Sequence, residues 1–203
     1  NTIVLSLYST AGEKLWERVL GKNDRSAILR VTQGGNHVAL VTTDKHKWLE
    51  GHRLHIMDKQ GKSISSIDAF HIIQKVVVVD AGEHLFVQGF NDYGLLKIPN
   101  GSVLWRKQQK IRMVSPYGAK IDPAGRILFL VLADFRGKLQ AAYRWKLVAL
   151  STTDGMQQVS AWLPDEHRGT WNRVFEQISS ERVQILTTTK RFTFSWQSSE
   201  EDK

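Results

Sequence analysis

Apolar and polar residues alternate along most of the chain, and short glycine-containing turns interrupt them at close intervals. The stretch LYSTAGEKLW at 7–16 shows the pattern, with an apolar start, a turn around Gly12 and a second run that ends near Trp16. A period of two indicates β-strands, and glycine accepts the positive φ that a tight hairpin turn needs. Each such stretch therefore predicts a β-hairpin, and helical periodicity is absent from nearly the whole sequence.

Two kinds of hairpin alternate along the chain. The first kind turns at Gly12, Gly61, Gly101 and Gly155, and the second kind turns at Gly35, Gly82, Gly125 and Ser180. Successive glycines of the second kind, from 35 to 82 and from 82 to 125, are 47 and 43 residues apart. This period is typical of a repeating four-stranded antiparallel unit, or blade. With strands lettered A to D, the second kind of hairpin joins A to B and the first joins C to D.

This lettering gives three full blades, at about 27–68, 74–108 and 112–163. The chain starts with C and D strands at 3–9 and 14–20, and it ends with A, B and C-like strands at 174–178, 183–189 and 192–196. If the terminal hairpins pair, a ring closes at four blades and the C-like strand has no place. If the chain is an arc of a longer array, free edges invite pairing with another chain or oligomer formation. We treat 1–203 as one domain.

The C–D hairpins carry a partial motif. Tyr8, Gly12 and Trp16 resemble the PQQ-like repeat, whose Y-x-x-D-x-x-T-G-x-x-x-W pattern marks each blade, although its aspartate is missing here. Trp16 is expected to pack between neighbouring blades. Gly101 with Leu104–Trp105 is a second partial match, and a WD40-like repeat fits almost as well. The resemblance implies an all-β, β-propeller-like array of about four four-stranded antiparallel blades, complete or incomplete.

Cations and aromatic residues collect in the segments predicted at one end of the blades. The A–B and C–D turns are mostly tight, whereas the opposite end receives the B–C loops (44–53, 89–94, 134–144) and the D–A links (21–26, 107–112, 164–171). Exposed aromatic and arginine side chains are common anchors of recognition. The expected ligand-binding residues are Trp48, Phe90, Tyr93, Phe135, Arg136, Lys138, Arg168 and Trp171. Of these, Trp48, Tyr93, Arg136 and Trp171 should be solvent-accessible within one continuous surface.

This face supports several functions. We expect a non-enzymatic scaffold that binds a protein or peptide partner. The alternative is a carbohydrate-binding or sensing propeller that stacks sugars on Trp48, Tyr93 and Trp171. A PQQ-dependent dehydrogenase fragment is less favoured, because that resemblance implies a quinone and calcium in a closed eight-bladed ring, and 203 residues are too few for one. We therefore expect no cofactor.

Charge adds little to this picture. The net charge of +8 and the pI near 9.8 would suit an anionic partner, but the cations are spread along the chain. The densest basic stretch, WRKQQKIR at 105–112, has a single nearby aromatic residue, so nucleic acid is disfavoured as a partner. No apolar run approaches the roughly 18 residues of a transmembrane helix.

Candidate chemistry is sparse. His46, Glu50 and His52 could meet across a loop as metal ligands, but a solvated polar loop explains them better and we expect no metal. The carboxylates of Asp80 and Asp92 flank one predicted strand, and those of Asp122 and Asp134 flank another, so each pair lies at opposite ends and is unsuited to acid–base catalysis.

The cellular location is weakly constrained. The chain has no cysteine, which fits any redox compartment. It starts at Asn1, as expected of either a processed secreted chain or an excised piece of a longer one. A periplasmic or extracellular location is slightly favoured over a cytoplasmic one.

Overall fold

The computed structural model describes residues 4–19, 24–32, 35–44, 51–70, 72–80, 82–108, 114–135, 143–163, 174–179, 182–186 and 191–195. All the regular elements in these ranges are β-strands. The chain divides into two compact units, Asn1–Lys110 and Ile111–Lys203. The treatment of 1–203 as a single domain stays a prediction.

The first unit contains ten strands, joined as antiparallel neighbours into three sheets. A two-stranded sheet comes first, and two four-stranded meanders follow it, in the orders β3-β4-β5-β6 and β7-β8-β9-β10. The strands are β1 (Val4–Tyr8), β2 (Lys14–Val19), β3 (Asp24–Val31), β4 (His37–Asp44), β5 (His52–Asp58), β6 (Ser63–Ile67), β7 (Lys75–Val78), β8 (His84–Gln88), β9 (Tyr93–Lys97) and β10 (Ser102–Lys107).

The second unit contains one four-stranded and one three-stranded antiparallel sheet. Their orders are β11-β12-β13-β14 and β15-β16-β17. The strands are β11 (Val114–Ile121), β12 (Ile127–Phe135), β13 (Tyr143–Ser151), β14 (Gln157–Trp162), β15 (Val174–Ile178), β16 (Arg182–Leu186) and β17 (Arg191–Ser195). The predicted fold class is thus confirmed, because each predicted full blade is a four-stranded antiparallel sheet.

Both faces of the sheet β3–β6 are packed, because successive side chains on a strand point to opposite sides. On one face, Val41 of β4 and Ile56 of β5 join Val76 and Leu85 of the next sheet in a buried cluster. On the other face, a smaller cluster of Val38, Leu40 and Met57 receives Leu5 and Trp16 of the two-stranded sheet. The continuous apolar run Val38–Val41 of β4 follows from this burial on two sides.

The second unit has a core of the same kind. Phe129, Trp145 and Leu147 of the four-stranded sheet pack against Phe175 and Ile185 of the three-stranded sheet. The rings of Phe129 and Phe175 lie 6.3 Å apart at 56°, a tilted arrangement that aromatic pairs favour.

The predicted C-like strand at 192–196 is β17, and it pairs with β16 along its whole length. Since β15 pairs with the other edge of β16, both edges of that strand are occupied. The predicted C-like strand therefore has a place in the last sheet, and the closure of the ring stays a prediction.

The predicted C–D turns form as expected. Gly12, Gly61, Gly101 and Gly155 all have positive φ, between 67° and 83°. In each turn of the first unit, the glycine N–H donates to the carbonyl three residues earlier, as from Gly61 to Asp58 at 3.0 Å. Trp16 packs between the first hairpin and the following sheet, which confirms its expected structural role.

Candidate recognition site at the B–C end of the first unit

The short turn between β8 and β9 holds an exposed aromatic ring. The Gly89 N–H donates to the Asp92 carbonyl at 2.8 Å and closes the turn. Phe90 lies at its tip with 41% of its surface exposed, whereas Gln88 and Asp92 on either side are buried. A large apolar side chain held in water on so short a turn is a candidate anchor for a partner.

An ion pair between a buried carboxylate and a half-buried arginine fixes the base of this turn. The carboxylate of Asp92 is 2% exposed, and its Oδ2 accepts hydrogen bonds from Nε and Nη2 of Arg106 at 2.9 and 2.5 Å. The Arg106 guanidinium also lies over the Phe70 ring, 5.6 Å from its centre, in a cation–π contact. Arg106 therefore joins the B–C turn, the D strand β10 and the D–A link that carries Phe70.

Close packing under the turn explains a glycine and corrects one prediction. A β-carbon at Gly94 would lie 2.5 Å from the Trp105 carbonyl oxygen and 2.9 Å from Cζ of Phe70. Tyr93, expected to be solvent-accessible, is only 6% exposed. Its ring lies between Phe86 and Trp105, with the indole edge-on at 6.0 Å. Tyr93 is the first residue of β9 and points into the sheet packing, so its expected exposure is wrong.

Burial also changes the chemistry of Tyr93. Removal of the phenol from water disfavours the charged phenolate and raises the pKa of Tyr93 above its usual value. The group is neutral at physiological pH and offers no exposed ring face to a sugar. Tyr93 packs into the sheet below the turn, whereas the ring of Phe90 is accessible to solvent.

The link between β6 and β7, which lies beside the turn, contains a residue with a strained backbone. Ile72 has φ +47°, a conformation that is unusual for a β-branched side chain. It directly precedes Ile73, and both Ile73 and Phe70 are buried in the cluster between the two four-stranded sheets. Tertiary packing at these two positions therefore holds a backbone conformation that the local sequence does not favour.

A second ion pair lies at the same end of the neighbouring sheet. Nε and Nη2 of Arg53, at the start of β5, donate to the two carboxylate oxygens of Asp68, which follows β6, at 2.8 and 3.3 Å. Both side chains are more than half exposed. The pair contributes little to stability, but it places charge and hydrogen-bonding groups at this end of the blade.

Most of the other predicted binding residues lie outside the described residues: Trp48, Arg136, Lys138, Arg168 and Trp171. For Phe135 the structure describes the backbone alone, as the last residue of β12 paired with Tyr143. The structure therefore brings Phe90 to the predicted end of a blade and leaves these six residues as predictions.

The carboxylates considered for catalysis lie as expected at opposite ends of their strand. Asp80 precedes β8 at the A–B turn and Asp92 follows it at the B–C turn. Although burial disfavours the charged form of Asp80, the His84 ring and three backbone N–H groups donate to it and hold its pKa at about 2. Asp80 therefore stabilises the A–B turn as a charged hydrogen-bond acceptor.

The structure shows no candidate metal-binding site among the described residues. No group of three or more histidine, aspartate and glutamate side chains there has a metal-binding arrangement. His46 and Glu50, the other two predicted ligands beside His52, fall outside those ranges. A cavity of about 80 Å³ in the second unit is lined mainly by apolar residues such as Phe129, Val159 and Phe194, with Gln158 and Ser195 as its polar lining residues.

Sequence reasoning missed Asp92, Arg106 and Phe70 as a unit. They are far apart in the sequence, and only the pairing of β8, β9 and β10 brings them together. The available signal was the aspartate in a short B–C turn, FNDYG, which suits an Asx-type acceptor. Its ionic partner could not be chosen from Arg106 and its neighbours Lys107 and Lys110 on the basis of spacing alone.

Comparison with known proteins supports the fold and no more. No protein-family model and no curated protein sequence matches the chain. Among solved structures, it resembles Hsv2 from Kluyveromyces lactis (TM-score 0.63, 12% identity, 98% of this chain), BamB from Moraxella catarrhalis (0.56, 12%, 95%) and the β-propeller domain of Cps50 (Swd1) from Myceliophteria thermophila (0.54, 15%, 90%). The chain covers 64%, 55% and 60% of these three structures, respectively.

These likenesses and the repeated four-stranded sheets define the chain as a β-propeller repeat protein. The resemblance expected from the Tyr8, Gly12 and Trp16 motif is therefore confirmed at the level of the repeat. Among the described residues there is no helix with the length and hydropathy that a bilayer span requires.

Proposed function

We propose that this chain is a non-enzymatic scaffold that binds a protein or peptide partner at the end of the blades where the B–C loops lie. One observation carries the proposal: the exposed ring of Phe90 lies on a turn whose base is fixed by the ion pair between the buried Asp92 and Arg106. A β-propeller fold is compatible with this role, since such folds present loops from a rigid frame.

The physical argument rests on preorganisation. A partner that binds a mobile loop must order it, which costs roughly 0.5–1.5 kcal/mol per immobilised side chain. The turn at Phe90 has four residues, a closing hydrogen bond and a buried carboxylate, so little of this cost remains. An aromatic residue with a neighbouring arginine is also the composition that most often dominates binding energy at interfaces.

The expected partner presents an apolar side chain to Phe90 and carries negative charge. The chain has a net charge of +8, which favours encounter with an acidic partner. Trp48, Phe135, Arg136, Lys138, Arg168 and Trp171 belong to the proposed surface on sequence grounds.

The burial of Tyr93 disfavours the carbohydrate alternative, because one of its three proposed stacking platforms is covered by Phe86 and Trp105. A glycan array therefore belongs in the test. Binding to glycans with no enrichment of peptides would favour the alternative and contradict the proposal.

The test uses a random peptide library displayed on phage, selected against the native chain. Peptides that are enriched are then measured against Phe90→Ala and against Leu104→Ala, a control that removes an equally exposed apolar residue, 39% exposed, from β10. We expect Phe90→Ala to weaken binding at least about tenfold, or about 1.4 kcal/mol, and Leu104→Ala to leave it unchanged. Equal binding by both variants, or no enriched peptide, would contradict the proposal.

A further inference from the structure

One asparagine of the chain is followed by glycine. Asn100–Gly101 lies in the C–D turn between β9 and β10, and none of the other asparagines in the sequence precedes a glycine. The side chain of Asn100 is exposed, whereas Gly101 is buried. Since glycine has no side chain to shield its backbone nitrogen, that nitrogen is accessible to the side chain of the residue before it.

The side-chain carbonyl of Asn100 is held by two donors. Its Oδ1 accepts hydrogen bonds from the Ser102 backbone N–H at 3.0 Å and from the Ser102 Oγ–H at 2.8 Å. Donors on a carbonyl oxygen stabilise the negative charge that develops there when a nucleophile adds to the carbon. The turn therefore activates Cγ of Asn100 toward attack.

The backbone nitrogen of Gly101 is the nucleophile next to this carbon in the sequence. Its N–H donates to the Ile98 carbonyl at 3.2 Å, the long end of the usual range. The corresponding bonds from Gly12 and Gly61 measure 3.0 Å, and the bond from Gly155 measures 2.9 Å. Gly101 therefore makes the longest of the four glycine hydrogen bonds in the C–D turns, and its N–H is the most readily released.

We propose that Asn100 is a site of spontaneous deamidation, in which the backbone nitrogen of Gly101 attacks Cγ of Asn100. A bond forms between these two atoms, the Cγ–Nδ2 bond breaks, and ammonia leaves with the proton of the Gly101 nitrogen. Water then opens the five-membered succinimide at one of its two carbonyl carbons and gives aspartate or isoaspartate at position 100. Water is the sole co-reactant, and the step needs no enzyme.

The aspartate product fits the turn. Asp154–Gly155 has the same place in the C–D turn between β13 and β14, where Oδ1 of Asp154 accepts a hydrogen bond from the Met156 N–H at 2.9 Å. The two glycines also have nearly the same φ, 69° at Gly155 and 67° at Gly101. A turn of this shape therefore accepts aspartate before its glycine.

The isoaspartate product does not fit. It brings the β-carbon of residue 100 into the main chain and so lengthens the backbone by one atom before Gly101. Gly101 lies so close to Ser65 of β6 that an added β-carbon would overlap the Ser65 side chain. Since this contact has no room to spare, the longer backbone disturbs the packing of the turn on the neighbouring sheet.

The test incubates the native chain at mildly alkaline pH and follows the mass of its proteolytic peptides. We expect a gain of one mass unit to accumulate at Asn100, with aspartate and isoaspartate as two separable products. Asn36 and Asn91 are also exposed but precede histidine and aspartate, and they should gain this mass more slowly than Asn100.

Ser102→Ala tests the role of the fold, because it removes the hydroxyl donor and retains the backbone donor. We expect it to slow the reaction of Asn100 at least about threefold, the effect of one lost hydrogen bond on a transition state. In a synthetic peptide of residues 97–106, where no fold holds the hydroxyl on Oδ1, the same substitution should leave the rate unchanged. Ser63→Ala is the matched control in the folded chain, since it removes an exposed serine from the start of β6.

Three results would overturn the proposal: no mass gain at Asn100 under conditions in which the peptide reacts, equal gains at Asn36 and Asn91, or a folded Ser102→Ala chain that reacts as fast as the native one.

The effect of the product is measured on the aged chain after its forms are separated by chromatography. The isoaspartate form should have a lower urea midpoint than Asn100→Asp, which reproduces the aspartate form. Equal midpoints would contradict the disturbed contact between Gly101 and Ser65.

Discussion

Gly61 lies directly against the indole of Trp16. A β-carbon at position 61 would lie 2.8 Å from Cδ2 and 2.9 Å from Cε3 of that ring, distances too short for any side chain. The Trp16 Nε1–H donates to the carbonyl of Lys59 at 2.7 Å, and Nη1 of Arg18 donates to that of Gly61 at 2.9 Å. The C–D turn between β5 and β6 thus packs against β2, the D strand of the preceding sheet.

Gly61→Ala is expected to destabilise the protein by about 2–5 kcal/mol. The substitution forces a non-glycine residue to φ +77°, which costs roughly 1–2 kcal/mol, and it drives a methyl group into the Trp16 ring, which adds about 1–3 kcal/mol. Gly12→Ala is the matched control, since Gly12 has φ +83° and no atom within 4 Å of an added β-carbon. Urea unfolding of both variants should show the larger loss at position 61, and equal losses would refute the contact.

Trp16→Ala should remove the steric part of that penalty. Loss of the partly buried indole and its bond to the Lys59 carbonyl is expected to cost about 2–4 kcal/mol by itself. In the Trp16→Ala variant, the additional Gly61→Ala substitution should lower the free energy of unfolding by about 1–2 kcal/mol, because only backbone strain remains. A double-mutant cycle measured by urea unfolding gives the coupling directly, and additive losses would mean that the ring moves aside freely.

Stability is expected to rise between pH 8 and pH 10.5 because of Lys75. Burial and the nearby Arg30 lower the pKa of Lys75 from 10.5 to about 8. In this range the unfolded chain holds a proton that the folded chain has released, so raising the pH favours the folded state. Below about pH 8 the cost of the buried charge is present in full.

Lys75→Met should abolish this rise, whereas Lys97→Met, which removes an exposed lysine from β9, should retain it. Urea midpoints between pH 7 and 10 for the three proteins give the comparison. Parallel pH profiles for the native chain and Lys75→Met would show that the amine is not desolvated.

Acid should lower the free energy of unfolding of the protein, because Asp80 loses its charge. Its pKa of about 2 lies below the usual 3.8 because His84 and the turn amides outweigh burial. For a carboxyl with a lowered pKa, the stabilisation is present above 3.8 and is lost as the pH falls toward 2. The difference in unfolding free energy between the native chain and Asp80→Asn should therefore shrink over this window. A difference that stays constant from pH 5 to pH 2 would mean that the charge contributes nothing.

The repeat could be predicted from sequence because its signals are local. Alternation within each strand and a glycine in each C–D turn placed the full blades at 27–68, 74–108 and 112–163, close to the strands observed. Trp16 was also placed correctly as a packing residue. Period and turn chemistry are properties of neighbouring residues, so one sequence is enough to show them.

The site was harder to predict because its geometry depends on contacts between strands. Tyr93 and Phe90 are three residues apart around one turn, and both were expected to bind a ligand on sequence grounds. The exposure of the two side chains differs because the Trp105 indole packs against Tyr93 in a T-shaped contact, while Phe90 lies at the tip of the turn closed by the Gly89–Asp92 hydrogen bond. Strand pairing decides both, and pairing partners lie beyond the range of local patterns.

The contact between Gly61 and Trp16 has a consequence for synthesis of the chain. The carbonyl that receives the Trp16 indole is 43 residues further along, at Lys59, and Arg30 likewise bonds to Val76 O, 46 residues later. During synthesis on a ribosome, the first and second sheets can therefore form these hydrogen bonds only after the following sheet has emerged.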